Sequence, residues 1–363
     1  NPEHNDFPKL SCVEKTRVYY DQKTLHRGAY TKDRFYFELD PFDMDSLNSF
    51  NEKYVRLAGE LVSAGIFPKF REELKIMNDY SLGFARDAPD GGFPFYGTEA
   101  RYDNRIVLSN NGLQGSGQID FLLSSSISNA FTFLPDSTIG YAQFTNLPQE
   151  DGVQFPDVKG EDAFITFLPY SETLKARSNK KLLAFFEGEA KLKGELILKK
   201  EGMRGNGIME MSGANMLSKN YRYKRWQTDA DTAIFNLVNK YKDPANLDED
   251  PLAFKTDNVT AHVDFKERFG EFTSNAGTSV VEFPVNKYIC KIDKFTWLMD
   301  SDDVEMSKAE NPEQDDISIE AAINTIEPNF YSIHPKQDSL QFLAPKARFN
   351  LKEKAIYCKD ITF

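Results

Sequence analysis

Apolar and polar residues alternate along much of the chain with a period of two. Gln118-Ile119-Asp120-Phe121, Phe131-Thr132-Phe133, Tyr221-Arg222-Tyr223 and Val259-Thr260-Ala261-His262-Val263-Asp264-Phe265 all follow this pattern. Successive side chains of a strand point to opposite faces, so the pattern predicts antiparallel strands with one face in a core and the other in water. Residues 55–62 (VRLAGELV) alternate in the same way, although 51–64 also admits a helical reading. Residues 69–77 and 317–326 are the other helical candidates, so only a few short helices are expected.

The chain also resembles itself. Residues 96–121 (YGTEARYDNRIVLSNNGLQGSGQIDF) superpose on 186–211 (FEGEAKLKGELILKKEGMRGNGIMEM) after a shift of 90 positions. Gly112, Gly115 and Gly117 then meet Gly202, Gly205 and Gly207. Ser128 meets Ser218, Phe131 meets Tyr221, and Phe133 meets Tyr223; one insertion later, 142–144 (AQF) meet 233–235 (AIF). Phe-Pro pairs at Phe67-Pro68, Phe155-Pro156 and Phe283-Pro284 give a weaker echo. Gly112 and Gly202 are expected at hairpin connections with positive φ. Gly115, Gly117, Gly205 and Gly207 are expected in the returning strand, at a bulge or a close backbone approach.

One such unit leaves an apolar face open, and the next unit covers it by stacking. The expected fold is therefore mainly β: repeated antiparallel units of about 90 residues, stacked into an elongated β-sandwich or solenoid-like array. The expected divisions are an N-terminal β unit at 1–95 with room for short helices, repeat units at 96–185 and 186–250, and a divergent C-terminal β unit at 251–363. Residues 243–251 (DPANLDEDP) read as a linker and 300–316 (DSDDVEMSKAENPEQDD) as a solvated loop.

Composition sharpens this picture. Thirty Phe and 16 Tyr against 2 Trp favour pleated, half-buried surfaces. A net charge of −12 repels phosphate backbones and anionic leaflets, which speaks against nucleic-acid partners and basic-patch membrane docking. No run of 18 apolar residues is present, so no transmembrane helix is expected. Cys12, Cys290 and Cys358 are odd in number and widely spaced, unlike a zinc motif or a disulfide framework. A first residue of Asn predicts a processed product or a piece of a longer chain.

Residues suited to catalysis are scattered. The glycines at 112–117 lack both the G-x-G-x-x-G spacing and a Walker lysine. His4, His26, His262 and His334 show no metal-ligand spacing, and no G-x-S-x-G elbow is present. The acidic pairs Asp43/Asp45, Asp229/Asp231 and Asp248/Asp250 complete no calcium loop. No catalytic residue, cofactor or metal is expected. One basic-aromatic cluster stands out, formed by Tyr221, Tyr223, Arg225 and Trp226, where aromatics beside cations suit sugars or bases. Its repeat mate Phe131-Thr132-Phe133 carries no charge, which favours a structural role for the aromatic positions.

Five stretches carry a family resemblance: 64–68 (AGIFP), 79–84 (DYSLGF), 108–117 (LSNNGLQGSG), 283–297 (FPVNKYICKIDKFTW) and 334–344 (HPKQDSLQFLA). With the repeat, they resemble the large repetitive cell-envelope and surface proteins of Bacteroidota. The resemblance implies an extracytoplasmic, outer-membrane-associated location, a longer native chain, and other envelope or surface proteins as partners. It also implies O-glycosylation at Ser46, Ser137, Thr232 and Ser339, each following an Asp. The alternating strands are similar, more weakly, to AsmA/TamB-like lipid-transfer bridges. The functional expectation is a non-catalytic structural or binding segment of an envelope assembly. The alternatives are a lipid conduit and a glycan-binding or glycan-processing module.

Overall fold

The computed structural model describes residues 9–45, 51–246, 248–275, 280–308, 327–337 and 340–363. Strand accounts for 59% and helix for 4% of the described residues, so backbone groups are satisfied between strands rather than within helices. Among the described residues the helical segments are single 3-10 turns, at Leu25–Gly28, Glu52–Tyr54, Pro169–Ser171 and Phe186–Gly188. The ambiguous stretch 51–64 contains the strand Leu57–Ser63. The helical reading of 69–77 is corrected: Phe70–Ile76 is a strand, and Leu61↔Phe70 and Leu57↔Leu74 set its register. The Glu and Lys residues there favour a helix locally, but a paired neighbouring strand offers every backbone group a partner and outweighs that preference. Residues 317–326 lie outside the described residues.

The chain forms two compact units, one from Asn1–Asn146 with Gly160–Lys181, the other from Leu147–Lys159 with Leu182–Phe363. The stretch 96–185 thus contributes to both, and 243–251 lies wholly within the second. That stretch is anchored, not free: Glu249 accepts hydrogen bonds from Asn239 Nδ2 and the Asp243 N–H, and pairs with Lys354. Lys354 first, then these two donors, holds the Glu249 carboxyl down at about 2.

The first unit is an antiparallel meander in which Thr16–Tyr19, Phe35–Leu39, Leu57–Ser63, Phe70–Ile76, Leu82–Asp87 and Arg101–Ser109 pair in chain order. The sheet continues through Gly112–Phe121, Ser124–Leu134 and Ser137–Asn146. Aromatic rings fill its inner face: Phe67, Phe95, Tyr102 and Phe133 are buried with ring centroids 4.9–6.1 Å apart.

In the second unit, Ala190–Lys199, Gly202–Met211, Ala214–Tyr223 and Gln227–Val238 pair in order. Beyond them the sheet divides in two. The C-terminal half of Gln227–Val238 pairs with Leu252–Thr256 and leads to Val280–Phe283, Tyr288–Lys291 and Phe330–Ser332. Its N-terminal half pairs with Val259–Asp264 and leads to Phe269–Ser274, Lys294–Leu298, Asp303–Ser307, Lys346–Asn350 and Ala355–Lys359. The two branches pack face to face through Phe254 on Phe295 and Phe283 on Phe349, with centroids 5.0 Å apart in both pairs. This part of the unit is a β-sandwich with an aromatic core.

Candidate functional site

The glycines shape the sheet surface. Gly112 and Gly202 stand at hairpin turns with φ of +85° and +139°. Against their next strands, Gly112–Phe121 and Gly202–Met211 both shift register between the second and third glycine: at Gly115/Gly117 in one and Gly205/Gly207 in the other. These are β-bulges at matching repeat positions. A Cβ on Gly117 would come within 2.0 Å of the Asp103 carbonyl oxygen, and one on Gly207 within 2.3 Å of that of Lys193. Gly115 and Gly205 leave room for the hydroxyls of Tyr102 and Tyr223. A shared serine bond closes each bulge. Ser128 Oγ accepts from the Ala130 N–H and donates to the Tyr141 carbonyl at 2.6 Å; Ser218 Oγ accepts from Asn220 and donates to Thr232 at 2.8 Å.

The Tyr221-to-Trp226 cluster divides between core and surface. Tyr221 is fully buried and donates to the Met216 carbonyl at 2.6 Å. Tyr223 is buried too; burial, then the neighbouring Tyr221, pushes its phenol well above the usual range, and its hydroxyl has no hydrogen-bond partner among the described residues. Arg225 is 13% exposed and pairs with Asp157 at 3.2 Å and Glu187 at 3.4 Å. Its guanidinium also lies 4.0 Å from the centroid of the Trp226 ring. Trp226, half-buried, lines a recess of about 210 Å3 together with Arg225, and Glu150, Gln154, Gln227 and Asp264 are among their neighbours.

A larger open cleft of about 1030 Å3 lies on the outer face of the second repeat, beside residues 152–154. Lys199, Arg204, Arg222 and Lys224 line it together with Glu201 and Asp229. Arg204 sits directly across from Arg222 in the register, and Arg222 from Asp229. Arg222 is bonded through both nitrogens to Asp231 at 2.5 and 2.7 Å. Further along the same outer face, Ile208, Leu217 and Ile234 form one cross-strand row and are 38%, 43% and 37% exposed. In the first repeat the equivalent row is Gln118, Ile127 and Gln143. Sequence reasoning missed both this row and Arg204. Comparing the polar-phase positions of the two repeats would have found them.

His262 shares a 2.6 Å hydrogen bond with Asp229 on the same outer face. Burial raises the thiol of Cys290 well above the ordinary range and also raises that of Cys358, which disfavours their reactive thiolate forms. Among the described residues no group of three or more His, Cys, Asp or Glu side chains is placed to hold a metal ion. No helix among them is long and apolar enough to cross a membrane. Ser137 is half-buried at a hairpin turn, Thr232 is exposed, and Ser46 and Ser339 lie outside the described residues. Comparison with family models, curated proteins and solved structures returns no match.

Proposed function

We propose that this chain is a non-catalytic structural and binding segment of a large bacterial cell-envelope or surface protein, working within a multiprotein assembly. The observation that carries this reading is the row Ile208, Leu217 and Ile234. Single exposed apolar residues are ordinary on protein surfaces, but three in register on one sheet face resemble the core of an interface. Arg204, Arg222 and Asp231 supply a charged rim on the same sheet. The first repeat, with Gln at two of the three positions, acts as framework rather than contact surface.

The envelope placement rests on the family resemblance, and the exposed Thr232 is consistent with modification outside the cytoplasm. A lipid conduit needs an unfilled apolar interior, whereas Phe235 packs within 4.2–6.4 Å of Phe254, Phe272, Phe295 and Trp297. That packing favours a scaffold over a conduit. Native mass spectrometry of the protein purified gently from its source tests the choice. Discrete protein complexes that Leu217→Asp dissociates, with the melting temperature unchanged, are the expected result. Retained lipid without protein partners, or complexes indifferent to Leu217→Asp, would overturn the reading.

A further inference from the structure

We infer that the cleft on the second repeat binds an oligosaccharide carrying carboxylate or sulfate groups. This inference goes beyond the scaffold reading and does not depend on the envelope placement. It starts from an unbalanced charge. Like charges directly opposite each other on a sheet are destabilising, yet Arg204 and Arg222 face each other across the floor of the cleft. Arg222 has its carboxylate in Asp231. Arg204 and Lys199 are exposed and make no direct ion pair or side-chain hydrogen bond among the described residues, and Arg204 feels only the more distant field of the Asp231 that Arg222 already holds. In the first repeat the positions of Arg204 and Arg222 hold the uncharged Gln114 and Thr132, so the sheet itself does not require the cations. An anionic ligand would relieve the repulsion and satisfy both unpaired donors.

The neighbouring chemistry selects among anions. Gln154 and Gln227 line both the cleft and the Trp226 recess, so the two are contiguous. Cations for acidic substituents, amides for hydroxyls and an aromatic ring beside them match an acidic sugar chain. The strands Gly202–Met211 and Ala214–Tyr223, which carry Arg204 and Arg222, are hydrogen-bonded on both sides and offer a peptide no free backbone edge to join as an extra strand. The net charge of −12 opposes a phosphate-dense polymer, whereas a sugar chain with one charge per residue or two meets the local cations at lower charge density.

Titration calorimetry on the whole protein tests this with four probes: a chondroitin sulfate hexasaccharide, an oligogalacturonate, neutral cellohexaose, and polyglutamate matched in charge. At least one acidic sugar should bind, weakening as salt is raised, while cellohexaose and polyglutamate do not. Arg204→Gln, which installs the first-repeat residue, should weaken binding about fivefold. Lys199→Ala combined with it should weaken binding further, with the melting temperature unchanged in both variants. Trp226→Phe, which keeps a ring, should lose less than Trp226→Leu. Failure of both acidic sugars to bind, polyglutamate binding as tightly as they do, or affinity indifferent to Arg204→Gln would each overturn the inference.

Discussion

Arg225 illustrates how a residue type that suggests ligand binding can instead hold the fold. Its guanidinium reaches Asp157, which is itself 14% exposed and accepts the Glu187 N–H at 2.9 Å. One side chain thus ties the 147–159 segment to the turn at Phe186–Gly188. Glu187 in that turn has a left-handed φ of 58°, and Phe186 stacks on Phe265 with centroids 4.3 Å apart. Removing one partner of a buried ion pair leaves the other charge uncompensated. Arg225→Ala should therefore cost about 3 kcal/mol in a denaturant melt. An unchanged melt would show that this ion pair does not hold the fold. Tyr221 and Tyr223 teach a related lesson. Alternation shows that they share a face, but three residues do not say whether that face is the inner one. Their uncharged mates Phe131 and Phe133 supplied that answer in the sequence itself.

At the level of elements, the in-phase glycines were legible because a bulge constrains the backbone and leaves few alternatives to glycine. Gly207, at φ +123° with a carbonyl where its Cβ would lie, is the strictest of them. Gly207→Ala should cost at least about 2 kcal/mol, against about 1 kcal/mol for Gly188→Ala, where φ is +97° but the space is open. Equal costs in thermal melts would show that the close approach contributes nothing. A second regularity was not legible. The hairpin Lys294–Leu298/Asp303–Ser307 recurs 52 positions later as Lys346–Asn350/Ala355–Lys359. After their first strands, the Met299 and Leu351 N–H groups donate to the Arg268 and Asp302 carbonyls, and both side chains are buried. Phe295 and Trp297 face Ala347 and Phe349 in this comparison, so similar backbones carry cores of different volume and the repeat vanishes from the sequence. The helical reading of 69–77 failed for a different reason: Glu and Lys favour a helix locally, whereas the adjacent strands Leu57–Ser63 and Leu82–Asp87 pair with Phe70–Ile76 on both sides.

At the level of the whole molecule, each unit has an inner side filled by aromatic rings, and the second repeat has an outer face that differs in kind from that of the first. The β class followed directly from alternation. The division into two units did not, because the segment Leu147–Lys159 returns to a unit built mainly from later residues. The functional reading depends on the outer face of the second repeat meeting a partner in the native assembly. Hydroxyl-radical footprinting, comparing the protein in that assembly with the protein purified alone, tests this most directly. The account predicts that Ile208, Leu217 and Ile234 become protected in the assembly while Ile127 of the first repeat stays reactive. Equal reactivity of the three residues in both states, or protection confined to the first repeat, would contradict it.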